Sequence, residues 1–278
     1  MLLNFLEKQE IPVCVKGFVK GESYKTYLEP HIGSTFFLRV DIENFFPSIT
    51  DGCIKETLSP LIVCSPEEDK IKLLDLIADI LTLNGTLPQG ACTSPFMSNL
   101  IMARIDQRIL KYCQVFDVKY TRYADDMLFS STTFDFKSKK WFLKKIKHII
   151  SAQNLKINYS KIKHGKELMV LNGYIISHEG IHLSRSRLSD IRHVCSFVKA
   201  NYSLLSSSDP TTFLAAANVL PLKHRDYPFT SVFQLIQYFC GYRAFLISFV
   251  DENYSDATFQ KNLQRLIRRI ESEISRLS

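Results

Sequence analysis

The sequence predicts an α+β fold, in which an antiparallel sheet with flanking helices is followed by a purely helical part. Three observations support this class. A β-branched and aromatic run at residues 36–42 is typical of a central strand. Two further apolar runs, at 115–122 and 127–130, flank four turn-like residues and therefore favour a hairpin. Segments with helical spacing lie between these strands, so helices and strands belong to one domain.

The helices are predicted from apolar residues that recur every three or four positions. Along the chain they occupy residues 67–83, 98–113, 141–150, 184–200, 233–250 and 257–277. Short strands are predicted at 156–158 and 170–176, and the serine-rich segment 203–209 is the best candidate for a linker. We therefore expect a mixed domain over residues 1–183 and a helical domain over residues 184–278.

Composition limits the class of protein. With 278 residues, 46% of them hydrophobic and 23% charged, the chain can bury a substantial core, and intrinsic disorder is excluded. Lys or Arg interrupts every apolar run of membrane-spanning length, and the first residues, MLLNFLEKQEIP, carry acids where a signal peptide needs basic residues. The seven cysteines are scattered and never in CxxC spacing, which argues against zinc or disulfides. The sequence thus predicts a cytoplasmic protein with buried thiols and no membrane partner.

Positive charge is concentrated in one segment. The net charge is +7, and residues 137–166 contain ten lysines and two histidines but no acid. Such a concentration favours binding to phosphate backbones, although a solvated helix face remains an alternative. Trp141 and Phe142 lie among these lysines and could stack on bases, but their helical spacing makes core packing the better prediction.

Three carboxylates occupy the ends of predicted strands. Asp41 ends the first strand, and Asp125 and Asp126 occupy the hairpin tip. Two-metal phosphoryl transfer needs carboxylate oxygens held a few ångströms apart, because Mg²⁺ prefers such ligands. Adjacent residues of a regular strand point to opposite faces, so a turn must re-aim Asp125 and Asp126. Taken alone, an Asp–Asp pair more often marks a solvated turn, and the surrounding residues therefore decide its interpretation.

Those surrounding residues resemble bacterial reverse transcriptases, especially the retron type. YADD at 123–126, within an apolar hairpin, matches the most specific signature of that family. FLRVDIENFFPSI at 37–49 resembles the family's first metal-binding block, and LPQGACTSPFMSN at 87–99 resembles the block that supports the incoming nucleotide and the template. Weaker matches follow in the family's order: GFVKG at 17–21, LKINYSK at 155–161, LNG at 171–173 and GYRAF at 241–245.

The resemblance implies a right-hand polymerase-like fold: a palm made of the antiparallel sheet and its flanking helices, reduced fingers, and a helical thumb. Fingers and palm would then occupy residues 1–183, and the thumb residues 184–278. The implied activity is RNA-directed DNA polymerisation with two Mg²⁺ ions. The implied catalytic residues and metal ligands are Asp41, Asp125 and Asp126, with the carbonyl of Ile42 as a further ligand.

The resemblance also implies contacts to the nucleotide. These residues are Phe46, Gln89, Gly90, Tyr123 and Lys161. Phe46 matches the bulky residue that excludes a 2′-hydroxyl, which implies a deoxyribonucleotide substrate. Gln89 can hydrogen-bond the substrate, while Gly90 lets the backbone approach it closely. Lys161 is a candidate acid towards pyrophosphate, and Lys163 is near enough in sequence to compete for that role.

Basic residues and partners complete the expectation. The predicted nucleic-acid contacts are Lys137, Lys139, Lys140, Lys144, Lys145, Arg243, Arg268 and Arg269. The implied partners are a noncoding RNA template, an RNA/DNA duplex, dNTPs and a separate effector or partner protein, in a setting of antiphage defence. Two alternatives stay open: an RNA-binding subunit of a larger reverse transcriptase complex, and an untemplated or protein-primed nucleotidyl transferase.

Overall fold

The computed structural model describes residues 5–207, 210–223, 225, 227–250 and 257–278. The chain folds into two compact units, Met1–Met169 and Val170–Ser278. The predicted linker at 203–209 is wrong over its first five residues, which continue a helix, and residues 208–209 lie outside the described part of the chain. No helix within the described ranges is long and apolar enough to cross a membrane.

The first unit is built on antiparallel strands. They are β1 (Phe36–Asp41), β2 (Lys119–Tyr123), β3 (Asp126–Ser131) and β4 (Lys163–Lys166), arranged in the order β2-β3-β1-β4. In the central ladder Phe36 pairs with Ser131 and Asp41 pairs with Asp126, so β1 and β3 are in register from end to end. Strand β5 (Leu168–Leu171) follows a tight turn and pairs with β4 at Lys166 and Leu168. The register brings the end of β1 beside the start of β3.

Helices of the first unit cover this sheet. They are α1 (Tyr24–Leu28), α2 (Asp51–Leu58), α3 (Glu67–Leu81), α4 (Ser94–Gln114) and α5 (Lys140–Ile150). Local sequence sets their starts: the Ser23 hydroxyl accepts from the Thr26 amide at the start of α1, and the Thr50 hydroxyl accepts from the Cys53 amide at the start of α2. Sequence patterning alone predicted neither of these two helices, because both are short.

Two predicted helix faces differ from those observed. Helical spacing predicts that Ile71 and Ile80 of α3 face the core, but their exposed fractions are 54% and 65%. The buried residues of α3 are instead Leu74, Ile77, Ala78 and Leu81. In α5, Phe142 is buried, as core packing predicted, whereas Trp141 is 46% exposed and packs edge-on to Phe116. The helical spacing of apolar residues predicted both helices correctly. Which of those residues are buried was decided by the packing of each helix against the rest of the unit.

The second unit combines a hairpin with helices. Its elements are β6 (Tyr174–Ser177), β7 (Ile181–Leu183), α6 (Arg185–Ser207), α7 (Pro210–Asn218), α8 (Val232–Ile247) and α9 (Ala257–Leu277). Helix α9 packs against α8 and α6. Its buried residues are Leu263, Leu266, Ile267, Ile270, Glu273 and Leu277, so the apolar face expected from the sequence is confirmed.

Several strand boundaries differ from the sequence prediction for local reasons. The predicted strand at 170–176 is interrupted at Asn172 and Gly173, whose φ angles of 48° and 85° form a left-handed turn. The predicted strand at 156–158 is reduced to an isolated bridge between Ile157 and Ile42. The sequence predicted buried thiols, and this prediction holds only in part, because Cys92 and Cys240 are exposed.

Candidate active site

Three carboxylates meet where β1 and β3 are paired. Asp41 is the last residue of β1 and is the cross-strand partner of Asp126, the first residue of β3. Asp125 occupies the turn between β2 and β3, and its carbonyl accepts a hydrogen bond of 3.1 Å from the Ile42 amide. The Asn158 amide donates to the Asp41 carbonyl at 2.9 Å. The sheet register therefore joins the two acidic segments that the sequence separates.

The turn carrying Asp125 is held in an unusual backbone conformation. Ala124 has a φ of 57°, a left-handed value that a residue with a side chain rarely adopts. Gly17 packs directly against this turn, because a Cβ at Gly17 would lie 2.4 Å from the Ala124 nitrogen. The neighbouring Lys16 amide donates to the Arg122 carbonyl at 2.8 Å. Gly17 is therefore required by close backbone approach.

A buried polar network supports the same turn from within the unit. The guanidinium of Arg122 is fully buried and forms an ion pair of 2.8 Å with Asp106. Its Nη1 also donates to the Ala124 carbonyl at 2.8 Å and to Asn99 Oδ1 at 3.2 Å. Asn99 Nδ2 in turn donates to the Gly17 carbonyl at 2.9 Å. The network links both sides of the turn, and every charged member is paired.

Sequence reasoning did not single out these supporting residues. The one sequence signal for Arg122 is a charged residue inside an apolar strand next to the acidic tip, which indicates a buried ion pair. Its partner, Asp106, lies 16 residues upstream on a helix, so no local pattern connects the two.

Arg39 neutralises one of the three carboxylates. Arg39 Nε donates to Asp126 Oδ1 at 2.7 Å, and Arg39 Nη2 donates to Oδ2 at 2.8 Å. Burial raises the pKa of Asp126 and the charges of Asp125 and Asp41 add to this, although Arg39 opposes the rise. The Asp126 carboxylate is thus held in one orientation by a two-point contact.

Among the described residues, neither Asp41 nor Asp125 has a two-point partner such as Arg39, and Asp41 is paired instead with the ammonium of Lys161. Burial and the charge of Asp41 raise the pKa of Asp125. Asp41 Oδ1 is buried and accepts no hydrogen bond from any residue that the structure describes. The Nζ of Lys161, on a side chain that is 54% exposed, lies 3.1 Å from that oxygen and donates to Oδ2 at 3.2 Å.

This donor set fits a hard divalent cation at Asp41 and Asp125. Both supply carboxylate oxygens, and Asp41 Oδ1 accepts no hydrogen bond among the described residues, so a cation could take the place of the Lys161 ammonium beside it. Asp126 fits less well, because both of its oxygens accept from Arg39. Accordingly, no cluster of three or more acidic, His or Cys side chains in the described residues is arranged to hold a metal ion. The structure brings the three acids together but directs Asp126 to Arg39.

An aromatic cluster borders the carboxylates. Tyr123 lies with its ring centroid 5.2 Å from that of Tyr24, 5.9 Å from Tyr27 and 6.4 Å from Phe18. The half-buried Phe46 packs edge-on to Phe18 at 6.3 Å. The two aromatic residues predicted to contact the nucleotide are therefore joined through Phe18. Phe18 was missed in the sequence, where GFVKG showed only a weak match.

The remaining predicted residues lie in two places. Gln89 and Gly90 are exposed in the turn ahead of α4, where Gly90 adopts a φ of 92°. The five predicted lysines, Lys137, Lys139, Lys140, Lys144 and Lys145, lie on α5 and on the turn before it. In the second unit, Arg243 forms an ion pair with Glu271 at 2.7 Å, and Arg269 donates to Ser196 at 3.0 Å, while Arg268 is exposed.

Comparison with known proteins gives consistent matches. Residues 2–176 match the family model described as reverse transcriptase (RNA-dependent DNA polymerase). Retron Ec86 reverse transcriptase of Escherichia coli is 32% identical over 200 residues, which cover 69% of this chain and 58% of that protein. Retron Mx65 reverse transcriptase of Myxococcus xanthus is 30% identical over 142 residues, which cover 47% of this chain and 33% of that protein. The chain thus aligns with less than two thirds of the length of each relative.

Among solved structures, telomerase from Candida albicans in complex with a fragment of telomeric RNA aligns with 88% of this chain and 49% of that chain, at 12% identity and a TM-score of 0.44.

Proposed function

Because the chain belongs to the reverse transcriptase family, and within it to the bacterial retron type, we propose that it is an RNA-directed DNA polymerase. It copies a noncoding RNA template into DNA from dNTPs. The observation that carries this proposal is the meeting of Asp41 with Asp125 and Asp126, the two acids of the family's signature hairpin, at one end of the β1–β3 ladder. Carboxylates gathered in this way are suited to bind the divalent cations that nucleotidyl transfer needs.

The reaction joins a primer 3′-oxygen to the α-phosphate of a dNTP and releases pyrophosphate. Two Mg²⁺ ions, when bound, supply activation of the attacking hydroxyl and neutralisation of the triphosphate. Asp41 and Asp125 would hold the ions through their carboxylates, and the backbone carbonyl of Ile42 would add a further oxygen ligand. Burial, with the charge of Asp41, raises the pKa of Asp125, and a cation at this place would favour its ionised form.

Lys161 and Arg39 complete the charge balance of the site. Lys161 reaches Asp41 from a largely exposed position, so its ammonium can turn to the triphosphate and give a proton to the leaving pyrophosphate. Arg39 acts through Asp126 and is a positioning residue. Its two-point contact fixes Asp126 beside Asp41 and offsets one of three crowded negative charges.

The aromatic cluster selects the sugar. Phe46 is half-buried against Phe18, and Phe18 in turn contacts Tyr123 beside the catalytic acids. Phe46 matches the bulky residue of the family that excludes a 2′-hydroxyl, and its packing on Phe18 would hold the ring in place for that role, which favours dNTPs. Gln89 and Gly90, at the exposed turn before α4, contact the base pair that forms.

Wider assignments follow from the same proposal. Arg243, Arg268 and Arg269 of the helical unit bind the RNA/DNA duplex by its shape and phosphates. The enzyme acts in the cytoplasm in antiphage defence, together with a separate effector protein. We assign residues 1–183 to fingers and palm and residues 184–278 to the thumb.

The test is incorporation of labelled dNTPs by the purified chain on a primed RNA of defined sequence, with Mg²⁺. We expect RNA-dependent product whose sequence is complementary to the template. Asp125→Asn should lower the rate at least about 100-fold and leave RNA affinity within about twofold, because the ions are lost but the fold is not. Asp117→Asn is the matched control, since Asp117 is exposed with a φ of 51° that Asn adopts readily.

Other results would identify the alternatives. Product whose base composition ignores the template would assign an untemplated or protein-primed nucleotidyl transferase. Tight RNA binding without dNTP incorporation, whichever divalent metal ion is supplied, would identify the chain as an RNA-binding subunit of a larger complex. Equal activity of wild type and Asp125→Asn would refute the site itself.

A further inference from the structure

A cavity of about 710 Å³ lies in the first unit, apart from the carboxylates. It opens between α5, the turn that precedes α5, and the segment that leads into β4. Its lining consists of Phe136, Lys137, Lys140, Leu143, Lys144, Tyr159, Ile162 and His164. The apolar members are buried or half-buried, and the lysines, the tyrosine and the histidine are exposed. A volume in this range holds a group of nucleotide size.

The cavity lies on the sheet face opposite to the catalytic acids. His164 of β4 pairs with Leu38 of β1, and partners in an antiparallel ladder project to the same face. Asp41 is three residues from Leu38, so it projects to the other face. Helix α5 covers the Leu38 face, because Phe142 lies 5.5 Å from Phe129, which is itself the partner of Leu38. A ligand in this cavity therefore does not compete with binding at Asp41.

The charges around the cavity favour the binding of an anion. Lys139 is the N-cap of α5 and Lys140 its first residue, with Lys137 just before them and no acid in the first turn. Cations at this end oppose the helix dipole, so the arrangement lowers helix stability. Bound phosphates would reverse that effect.

The cavity also offers contacts suited to a base. Tyr159 is 58% exposed, with the Lys147 ammonium 5.5 Å from its ring centroid, so most of the ring remains open for stacking. Burial, followed by the charge of Lys137, lowers the pKa of His164. Its imidazole is therefore neutral near pH 7 and carries one donor and one acceptor for a base edge.

We propose that this cavity binds a single-stranded nucleic-acid segment, with a base on Tyr159 and the adjoining apolar wall, and phosphates on Lys137, Lys140 and Lys144. A duplex would offer only its backbone and leave the tyrosine and the apolar wall without contacts. The site holds a strand on the sheet face opposite to the point of synthesis and anchors it while the polymerisation centre works. The inference goes beyond the proposed function, because binding here needs neither metal nor nucleotidyl transfer.

The test measures binding by fluorescence anisotropy in the Asp125→Asn protein, with excess unlabelled RNA/DNA duplex present to occupy any polymerisation cleft. The probes are labelled 12-mers of oligo(rU) and oligo(dT). The variant Lys137→Gln/Lys140→Gln/Lys144→Gln should weaken binding at least tenfold. Its slope of log affinity against log salt should be smaller by about 2, as expected for three lost phosphate contacts to a single strand. Tyr159→Leu should weaken binding about tenfold without changing that slope, whereas Tyr159→Phe should bind like the parent.

The matched control is Lys8→Gln/Lys72→Gln/Lys111→Gln, which removes the same charge from exposed positions elsewhere in the first unit. Comparable losses in the two triple variants, or an unchanged affinity in the cavity variant, would overturn the proposal. A loss confined to oligo(rU) would identify the strand as RNA, and equal losses would show that the site accepts either strand. Because the protein tested is inactive by design, a failure of the proposed polymerase activity does not affect this result.

Discussion

Arg39 and Asp126 form a two-point ion pair across the central β1–β3 ladder, with N–O distances of 2.7 and 2.8 Å. Both side chains are largely buried, at 12% and 10% exposure. The pair is diagonal in the ladder, since Arg39 is opposite Leu128 and Asp126 is opposite Asp41. One of the two acids of the signature hairpin is therefore neutralised by the protein itself.

Arg39→Met should destabilise the fold by about 3 kcal/mol, because it leaves a buried carboxylate without its partner. Arg39→Lys should cost less, about 1 kcal/mol, since it keeps the charge but loses the fork geometry. Urea unfolding of both variants would measure these changes. In a double-mutant cycle, Arg39→Met with Asp126→Asn should be less destabilised than the sum of the single changes, and strict additivity would contradict the pairing.

Gly17→Ala should displace the turn that carries Asp125. Its new Cβ would lie 2.4 Å from the Ala124 nitrogen, so backbone must move, at a cost of about 1–3 kcal/mol. We expect dNTP incorporation to fall at least tenfold while far-UV circular dichroism stays native. Gly52→Ala is the control, because the nearest atom to its Cβ is 3.7 Å away and helix α2 accepts alanine. Equal activity of the two variants would argue against the close contact.

Phe46→Ala should relax the choice between sugars. Removing the ring that packs on Phe18 opens space for a 2′-hydroxyl, so kcat/KM for rNTPs should rise at least tenfold relative to dNTPs. Single-nucleotide extension with each substrate measures the ratio. A selectivity identical to that of wild type would remove Phe46 from the sugar site.

His31 should make stability depend on pH in the acid range. It is fully buried, with Nδ1 2.7 Å from the Ser130 hydroxyl and Nε2 2.7 Å from the Thr121 hydroxyl. Thr121 donates its proton to the Tyr27 carbonyl at 2.8 Å, so it must accept from Nε2–H, and Nδ1 accepts from Ser130. This neutral tautomer leaves no place for a second ring proton.

Burial, with a smaller contribution from Lys119, lowers the pKa of His31 from 6.5 to about 3. Below pH 6.5 the unfolded chain therefore takes up a proton that the folded chain refuses, and stability falls as pH decreases towards 3. The slope from this group is at most about 1.4 kcal/mol per pH unit. His31→Gln should be less stable at pH 7 but show a flatter profile in urea unfolding between pH 6.5 and 4. The exposed His148→Gln should keep the wild-type slope.

Local patterns in the sequence were sufficient for much of the fold. The β-branched run ending in Asp41 predicted β1, and the apolar residues around YADD predicted the hairpin of β2 and β3. Regular apolar spacing predicted α4, α8 and α9 to within a few residues. These predictions succeed because the alternation of a strand, the period of a helix and the residues of a turn are each encoded within a short segment. Short or capped elements such as α1 and α2 carry too little periodic signal.

The sequence by itself identified the candidate residues for the chemistry: the acids at 41, 125 and 126 and the lysines before and within α5. Only the tertiary structure decided where they lie relative to one another. Strand register places Arg39 on Asp126, 87 residues away, and backbone approach places Gly17 against Ala124. The same register puts the lysine-lined cavity on the face opposite to Asp41. Such relationships depend on pairing between distant segments, which no local pattern specifies, because side-chain direction reverses with a one-residue shift in register.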